Sequence, residues 1–305
     1  MSDGSTGGRI AIVLLLLAFA VGAFLTWEAT SDGFAARLFQ GDRVGVLPVE
    51  GVISSERDLL EDLRWLENRS SVKAVVLKVN SPGGTVGATQ SLYRELQRLR
   101  RELDRPIVAW IGEVGASGGY YASMAADSLI ALPGSITGSI GVIMQFPNAG
   151  ELMRKVGVEL EVVKSGELKD MGSPTRPLSG QERAVLRQLV DDAYGQFLEA
   201  VQGGRQLSPD SLRNLADGRI FSGQRAAELG LVDRTGTLRE AVAAAGRMAG
   251  LGASPDTVYP PEERISFVDV LTGVRTSRLD ALARWLPEWI REPGSSRPEL
   301  LYLWR

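Results

Sequence analysis

From Arg43 onward, short apolar runs alternate with stretches in which leucine returns every three or four positions. The runs "RVGVLPVEGVI" (43–53), "VKAVVLKV" (72–79) and "PIVAWIGEV" (106–114) are rich in valine and isoleucine and predict strands. Between them, "ERDLLEDLRWLENR" (56–69) puts Leu59, Leu60, Leu63 and Leu66 on one helical face. "TVGATQSLYRELQRLR" (85–100) does the same with Leu92, Leu96 and Leu99, and "SGGYYASMAAD" (117–127) predicts a short helix of small residues. Strand, helix, strand, helix, strand in this order argues for an α/β domain with a parallel sheet under covering helices. Further on come "SLIALP" (128–133), "GSIGVIM" (138–144), a helix near 149–156 and a strand over "VELEVVKS" (158–165). A long helix at about 180–202 and a helix–strand–helix stretch to about 250 follow.

The two ends have a different texture. Ile10 to Trp27 reads "IAIVLLLLAFAVGAFLTW", 18 residues without a charge, close to the length that spans a bilayer. Ala18-Phe19-Ala20 has the small-x-small form of a signal cleavage site. The apolar run continues for seven positions past Ala20, which favours an uncleaved signal anchor. The expected organisation is a tail at 1–9, one transmembrane anchor at 10–27, a linker at 28–42, a main domain at 43–250 and a C-terminal extension at 251–305. A short head and a long remainder favour a single pass through the cell membrane with the main domain exported, although Arg9 against Arg37 and Arg43 gives little charge bias. The extension opens with Pro255, Pro260 and Pro261, then offers the amphipathic "SFVDVLTGVRTSRLDALARWLPEWI" and closes on "PELLYLWR". Packing on its own domain or a neighbour is one role for it, and lying on a membrane surface is another.

Composition narrows the chemistry. The chain has 305 residues, 44% of them apolar, and a net charge of −3, with no dense basic run that would bind nucleic acid. It contains no cysteine and no histidine. Disulfides, thiolate zinc sites and a serine–histidine–aspartate triad are therefore excluded within this chain.

Two glycine-rich segments stand where a strand gives way to a helix. "VNSPGGTV" (79–86) has turn chemistry at Asn80 to Gly84. Gly83 and Gly84 would let backbone N–H groups face a ligand at the positive end of a helix, as an oxyanion hole requires. Tight turns also carry Pro-Gly-Gly with no function. "EVGASGGYYAS" (113–123) sets Ser117 among Gly115, Gly118 and Gly119, where its hydroxyl would be open to a substrate. The plainer reading of Ser117 is a helix N-cap. Both segments should emerge at the carboxyl end of one parallel sheet, where such folds bind ligands. Neither is a phosphate loop, because no lysine followed by serine or threonine comes after the second glycine.

A nucleophilic Ser117 needs a base. Arginine stays protonated, which leaves five lysines: Lys73, Lys78, Lys155, Lys164 and Lys169. Lys164 and Lys169 lie in "VVKSGELKDMGSPTRPLS", whose long loop has the character of a functional segment. Glu113 and Asp170 remain rival bases. A lysine in water titrates near pH 10.4, and a lysine base needs that lowered to about 7–8. That is about 3 units, or about 4 kcal/mol, and burial is the natural cause.

"NSPGG", "GASGGYYAS", "TGSIGV", "KSGELKDMGSPTRPLS" and "A-x-x-LGLVD" (226–233) together resemble bacterial signal peptide peptidase A in its short membrane-anchored form. The resemblance covers roughly 43–250. It implies a Clp protease/crotonase-like spiral of βαβ units, preceded by one N-terminal transmembrane helix, with 43–250 as the serine protease domain. It implies Ser117 as nucleophile, Lys169 as general base, and Gly83 and Gly84 as the oxyanion hole. Asp170 is then expected to point away from the site, since its charge would hold the lysine protonated. The implied substrates are cleaved signal peptides and other membrane-derived peptides. No metal or cofactor is implied, nor a nucleic-acid partner. The short forms resemble rings, eightfold by that resemblance, in which one subunit's lysine meets the next subunit's serine. Rival readings are a stomatin-partner-type membrane protease, a cytoplasmic crotonase-like acyl-coenzyme A enzyme, and a non-catalytic membrane scaffold of the same fold.

Overall fold

A computed structural model describes residues 41–261 and 301–303. The anchor expected at 10–27 and most of the extension lie outside these residues; among the described residues no helix is long and apolar enough to cross a membrane. In chain order the elements begin β1 (Arg43–Ile53), α1 (Arg57–Glu67), β2 (Val72–Thr85), α2 (Val86–Glu102), β3 (Ile107–Ala116) and α3 (Gly118–Ser123). They continue with β4 (Ser128–Ala131), β5 (Ile136–Gly138), α4 (Gly150–Lys155), α5 (Gly180–Gly204), α6 (Pro209–Leu215), β6 (Ile220–Ser222) and α7 (Gly223–Glu228). The last are β7 (Arg234–Thr235), α8 (Leu238–Met248), β8 (Thr257–Val258) and β9 (Leu301–Leu303).

The strands form one mixed sheet, ordered β6-β5-β3-β2-β1-β8, with β4 and β7 joined beyond β3, and β9 on β2. Central pairings are parallel: Val44–Glu50 of β1 runs beside Ala74–Asn80 of β2, and Val75–Val79 of β2 beside Ile107–Ile111 of β3. Among the described residues, only the β5–β6 and β2–β9 pairs run antiparallel. The valine-rich strands are buried on both faces, as a parallel sheet requires. Side chains alternate across the sheet, so Val75, Leu77 and Val79 join Leu92, Leu96, Leu99 and Phe197 in the larger core. Ala74 and Val76 point the other way, against Ala241 and Ala245 of α8.

Two expectations change. Asn80 to Gly84, which has the composition of a turn, continues β2 as strand to Thr85. Pairing of Val52 and Ile53 with Gly83 and Gly84 carries the ladder through the glycines. The segment 158–165 has strand-like alternation but forms no strand. Val158, Leu160, Val162 and Val163 are exposed, so no sheet neighbour among the described residues satisfies the pattern.

Candidate functional site

The ends of β2 and β3 lie side by side in the sheet, and both run into helices there. The last register between them pairs Ser81 with Gly115. Beyond it the two glycine segments touch. A methyl group on Gly118 would lie 3.1 Å from the Gly83 Cα and 3.1 Å from the Gly84 nitrogen. One on Gly119 would lie 2.8 Å from the Ser81 carbonyl oxygen, closer than side chains normally tolerate. The start of α3 can therefore reach the end of β2 only with hydrogen in place of side chains. Gly84 is fixed from the other side, since a methyl there would meet the Ile53 oxygen at 2.0 Å, well inside contact distance. Sequence separates these segments by over thirty positions; packing makes them one surface.

Ser117 sits at that junction, directly before α3, and it is not an ordinary cap. Its side chain makes no capping hydrogen bond. Its backbone is at φ 51° and ψ −114°, a region that costs a residue with a Cβ on the order of 1–3 kcal/mol. Strong neighbours hold it there. The Ser117 N–H donates to the Gly138 carbonyl at 2.8 Å, and the Ser117 carbonyl accepts from the Tyr121 N–H at 2.8 Å. Gly138 itself has a φ of 83°, and Ser139 next to it has 51°, with its N–H donating to the Arg219 carbonyl at 2.8 Å. The side chain was expected to be open, yet Ser117 is only 1% exposed. The Gly83 N–H donates to Ser81 Oγ at 3.1 Å.

Thr89 escaped the sequence reading. It is fully buried in the first turn of α2, and its hydroxyl has no hydrogen-bond partner among the described residues. A methyl on Gly118 would lie 2.8 Å from that hydroxyl, so Thr89 backs the same junction. The signal was present: Thr89 stands in line with Leu92, Leu96 and Leu99, a lone hydroxyl in an apolar stripe.

Lys169 lies in the loop that precedes α5. It is exposed, and no hydrogen bond joins it to Ser117. The burial that a lysine base needs is thus not supplied by the described residues of its own chain. Its neighbours are firmly held. Asp170 accepts from Lys164 at 3.0 Å, and its nearest approach to Arg176 is 2.9 Å. Arg176 and then Lys164 hold the Asp170 acid down to about 2, which makes it a poor proton acceptor and answers its charge locally. Arg176 also forks onto buried Glu182 at 2.9 and 2.6 Å, and Glu182 closes a capping box with Ser179 at the start of α5. The loop is therefore tied to a helix terminus through one guanidinium. Lys78 pairs with Glu50 at 3.0 Å, and Glu113 is exposed. A polar cavity of about 480 Å³ between α2, α3 and α5, lined by Gln90, Tyr93, Tyr121 and Gln196, includes neither Ser117 nor Lys169.

Residues 100–252 match the family described as peptidase family S49, a span that holds Ser117 and Lys169. A protein of Synechocystis sp. named as a candidate protease is 42% identical over 270 residues, 86% of this chain and 96% of that protein. A protein of Enterococcus faecium named as a candidate signal peptide peptidase is 38% identical over 188 residues, 62% of this chain and 54% of that one. Protease 4 of Haemophilus influenzae is 32% identical over 262 residues, 80% of this chain and 42% of its own length.

Proposed function

This chain belongs to peptidase family S49 and is a protease of the SppA type, and on that premise we propose that it is a membrane-anchored serine endopeptidase with a serine–lysine dyad. Its substrates are cleaved signal peptides and other membrane-derived peptides, and its catalytic domain works on the outer side of the cell membrane. The finer form of its α/β fold is the Clp protease/crotonase-like spiral.

The observation that carries this reading is the meeting of Ser117 with Gly83 and Gly84 through Gly118, on a serine whose hydroxyl caps nothing. Ser117 Oγ attacks the scissile carbonyl carbon, and neutral Lys169 takes the hydroxyl proton. The carbonyl oxygen becomes an oxyanion, held by backbone N–H groups at Gly83 and Gly84. The Gly83 N–H leaves Ser81 Oγ to do so. The C–N bond then breaks, and the lysine returns the proton to the departing amine. Water, deprotonated by the same lysine, attacks the acyl ester, and its proton passes back to Ser117 as the ester C–O bond breaks. The oxyanion hole contributes on the order of 2.7–4 kcal/mol per donor in enzymes that use one.

Lys169 acts on the serine of a neighbouring copy in a homo-oligomeric ring, which we take to be eightfold. Two features support this. Lys169 is exposed in its own chain, and the stretch before its loop carries exposed Val158, Leu160, Val162 and Val163, an apolar surface that a neighbour would cover. That neighbour would also exclude water from the lysine. Mixing Ser117→Ala chains with Lys169→Ala chains tests the reading. Co-assembled rings should recover part of the peptide-cleaving activity that each parent lacks. Mixed rings without activity would show that the lysine serves its own subunit.

A further inference from the structure

The resting structure does not explain the hydroxyl of Thr89. It is fully buried and has no hydrogen-bond partner among the described residues, so it gives up water and regains nothing. Valine has nearly the same shape and would avoid that penalty at this place in the apolar stripe of α2. One neighbour of the hydroxyl is able to move. A methyl on Gly118 would lie 2.8 Å from Thr89 Oγ1 and 3.1 Å from both the Gly83 Cα and the Gly84 nitrogen, so Thr89, Gly118 and the Gly83–Gly84 backbone meet at one point. That backbone is held by a single side chain. The Gly83 N–H donates to Ser81 Oγ at 3.1 Å, and the Gly83 carbonyl accepts from the same hydroxyl only at 3.4 Å. Gly83 has a φ of 109°, a region that side chains disfavour, and a glycine there turns its peptide planes at little cost.

We propose that Thr89 is a positioning residue for the oxyanion hole, the second partner in a two-position switch at Gly83. In the resting position Ser81 Oγ holds the Gly83 N–H, and Thr89 is unpaired. In the working position the Gly83 N–H turns to the oxygen of the scissile carbonyl. The Thr89 hydroxyl then donates to the Gly83 carbonyl, which Ser81 reaches only at length. The proposal rests on the reading of Ser117 as nucleophile and Gly83 as oxyanion donor, and deepens it. Each position leaves one buried hydroxyl short of a bond, Thr89 in the first and Ser81 in the second. Neither is strongly favoured, so the substrate oxygen decides between them. Thr89 itself does not move, because Leu92, Leu96 and Leu99 of the same stripe are fixed in the larger core. Removing one neutral hydrogen bond from one side of such a balance shifts the populations about tenfold.

The test compares Thr89→Val, Thr89→Ser and the double variant Ser81→Ala with Thr89→Val, all in the full chain. Thr89→Val should lower kcat on a peptide substrate about tenfold with KM unchanged, because the lost bond forms only in the working position. Its melting temperature should equal or exceed the parent's, since no resting contact is lost. Thr89→Ser keeps the hydroxyl and should keep most of the parent's kcat. The double variant also removes the competing hydroxyl and should regain part of the lost kcat. Amide hydrogen exchange at Gly83 reads the switch without catalysis. It should slow about tenfold in Thr89→Val, because the position that frees the N–H is depopulated. The parent's kcat or the parent's Gly83 exchange rate in Thr89→Val would overturn the proposal. An equal fall of kcat in Thr89→Ser, or a lowered melting temperature in Thr89→Val, would also overturn it, because either marks a packing role. If the parent cleaves no peptide, the protease reading itself fails, and Gly83 exchange in Thr89→Val still decides whether the switch exists.

Discussion

Gly84→Ala asks whether the close approach of β1 to β2 builds the site. The added methyl would lie 2.0 Å from the Ile53 oxygen, 2.4 Å from its carbonyl carbon and 2.7 Å from its Cα. All three are backbone atoms, so no side chain can swing aside. Reaching an ordinary contact of about 3.4 Å requires the strands to part by about 1.4 Å. Overpacking of this kind costs about 1–3 kcal/mol. For a domain of this size each kcal/mol lowers Tm by about 2–4 °C, so a fall of about 2–12 °C is expected. The same displacement moves the Gly83–Gly84 backbone relative to Ser117, and a misplacement of about 1 Å can cost about a hundredfold in rate. Gly87 supplies the internal control. It lies three positions on, inside α2, with nothing within 4 Å of an added methyl. Gly87→Ala should raise stability by about 0.4–1 kcal/mol and leave activity alone. Thermal melts and kcat/KM on one peptide substrate read both effects. If Gly84→Ala matches the parent in Tm and in kcat/KM, the steric account of this junction is wrong.

Lys169→Arg should be inactive in peptide cleavage with an unchanged melting temperature, because a guanidinium keeps its charge but gives up no proton; retained turnover would remove Lys169 from the mechanism. Asp170 and Glu182 both have acids held down to about 2, chiefly by Arg176. Groups lowered on folding stabilise the fold above their unfolded values of about 4 and lose that contribution as pH falls toward 2. Proteolytic protection of residues 164–182 should accordingly hold at pH 5 and fade between about pH 4 and 2. In Arg176→Gln the fading should begin at higher pH, and a profile identical to the parent would contradict the tether.

Much of the architecture was legible because parallel strands buried on both faces must be apolar runs, and amphipathic helices must repeat leucine at helical spacing. β1, β3, α1, α2 and α5 were visible in this way. The end of β2 was not, because Ser81-Pro82-Gly83-Gly84 has the composition of a turn, and only the neighbouring Val52 and Ile53 make it a strand. The opposite error arose at 158–165, where alternation depends on a partner that the described chain does not provide. Gly83, Gly84 and Ser117 could be singled out one by one, but their contact through Gly118 is a property of packing. Thr89 was hidden for a simpler reason: one hydroxyl in a helix carries little signal until its neighbours are known. The strained backbone of Ser117 depends on Gly138 and Arg219, residues far away in sequence.

The central claim is that Ser117 is the nucleophile. Treating the full chain with a fluorophosphonate and mapping the adduct by peptide mass spectrometry tests it most directly. The account predicts one phosphonylated site at Ser117 in the parent, and none in Ser117→Ala, whose melting temperature should stay close to that of the parent. An adduct on another serine, or equal labelling of Ser117→Ala, would contradict it.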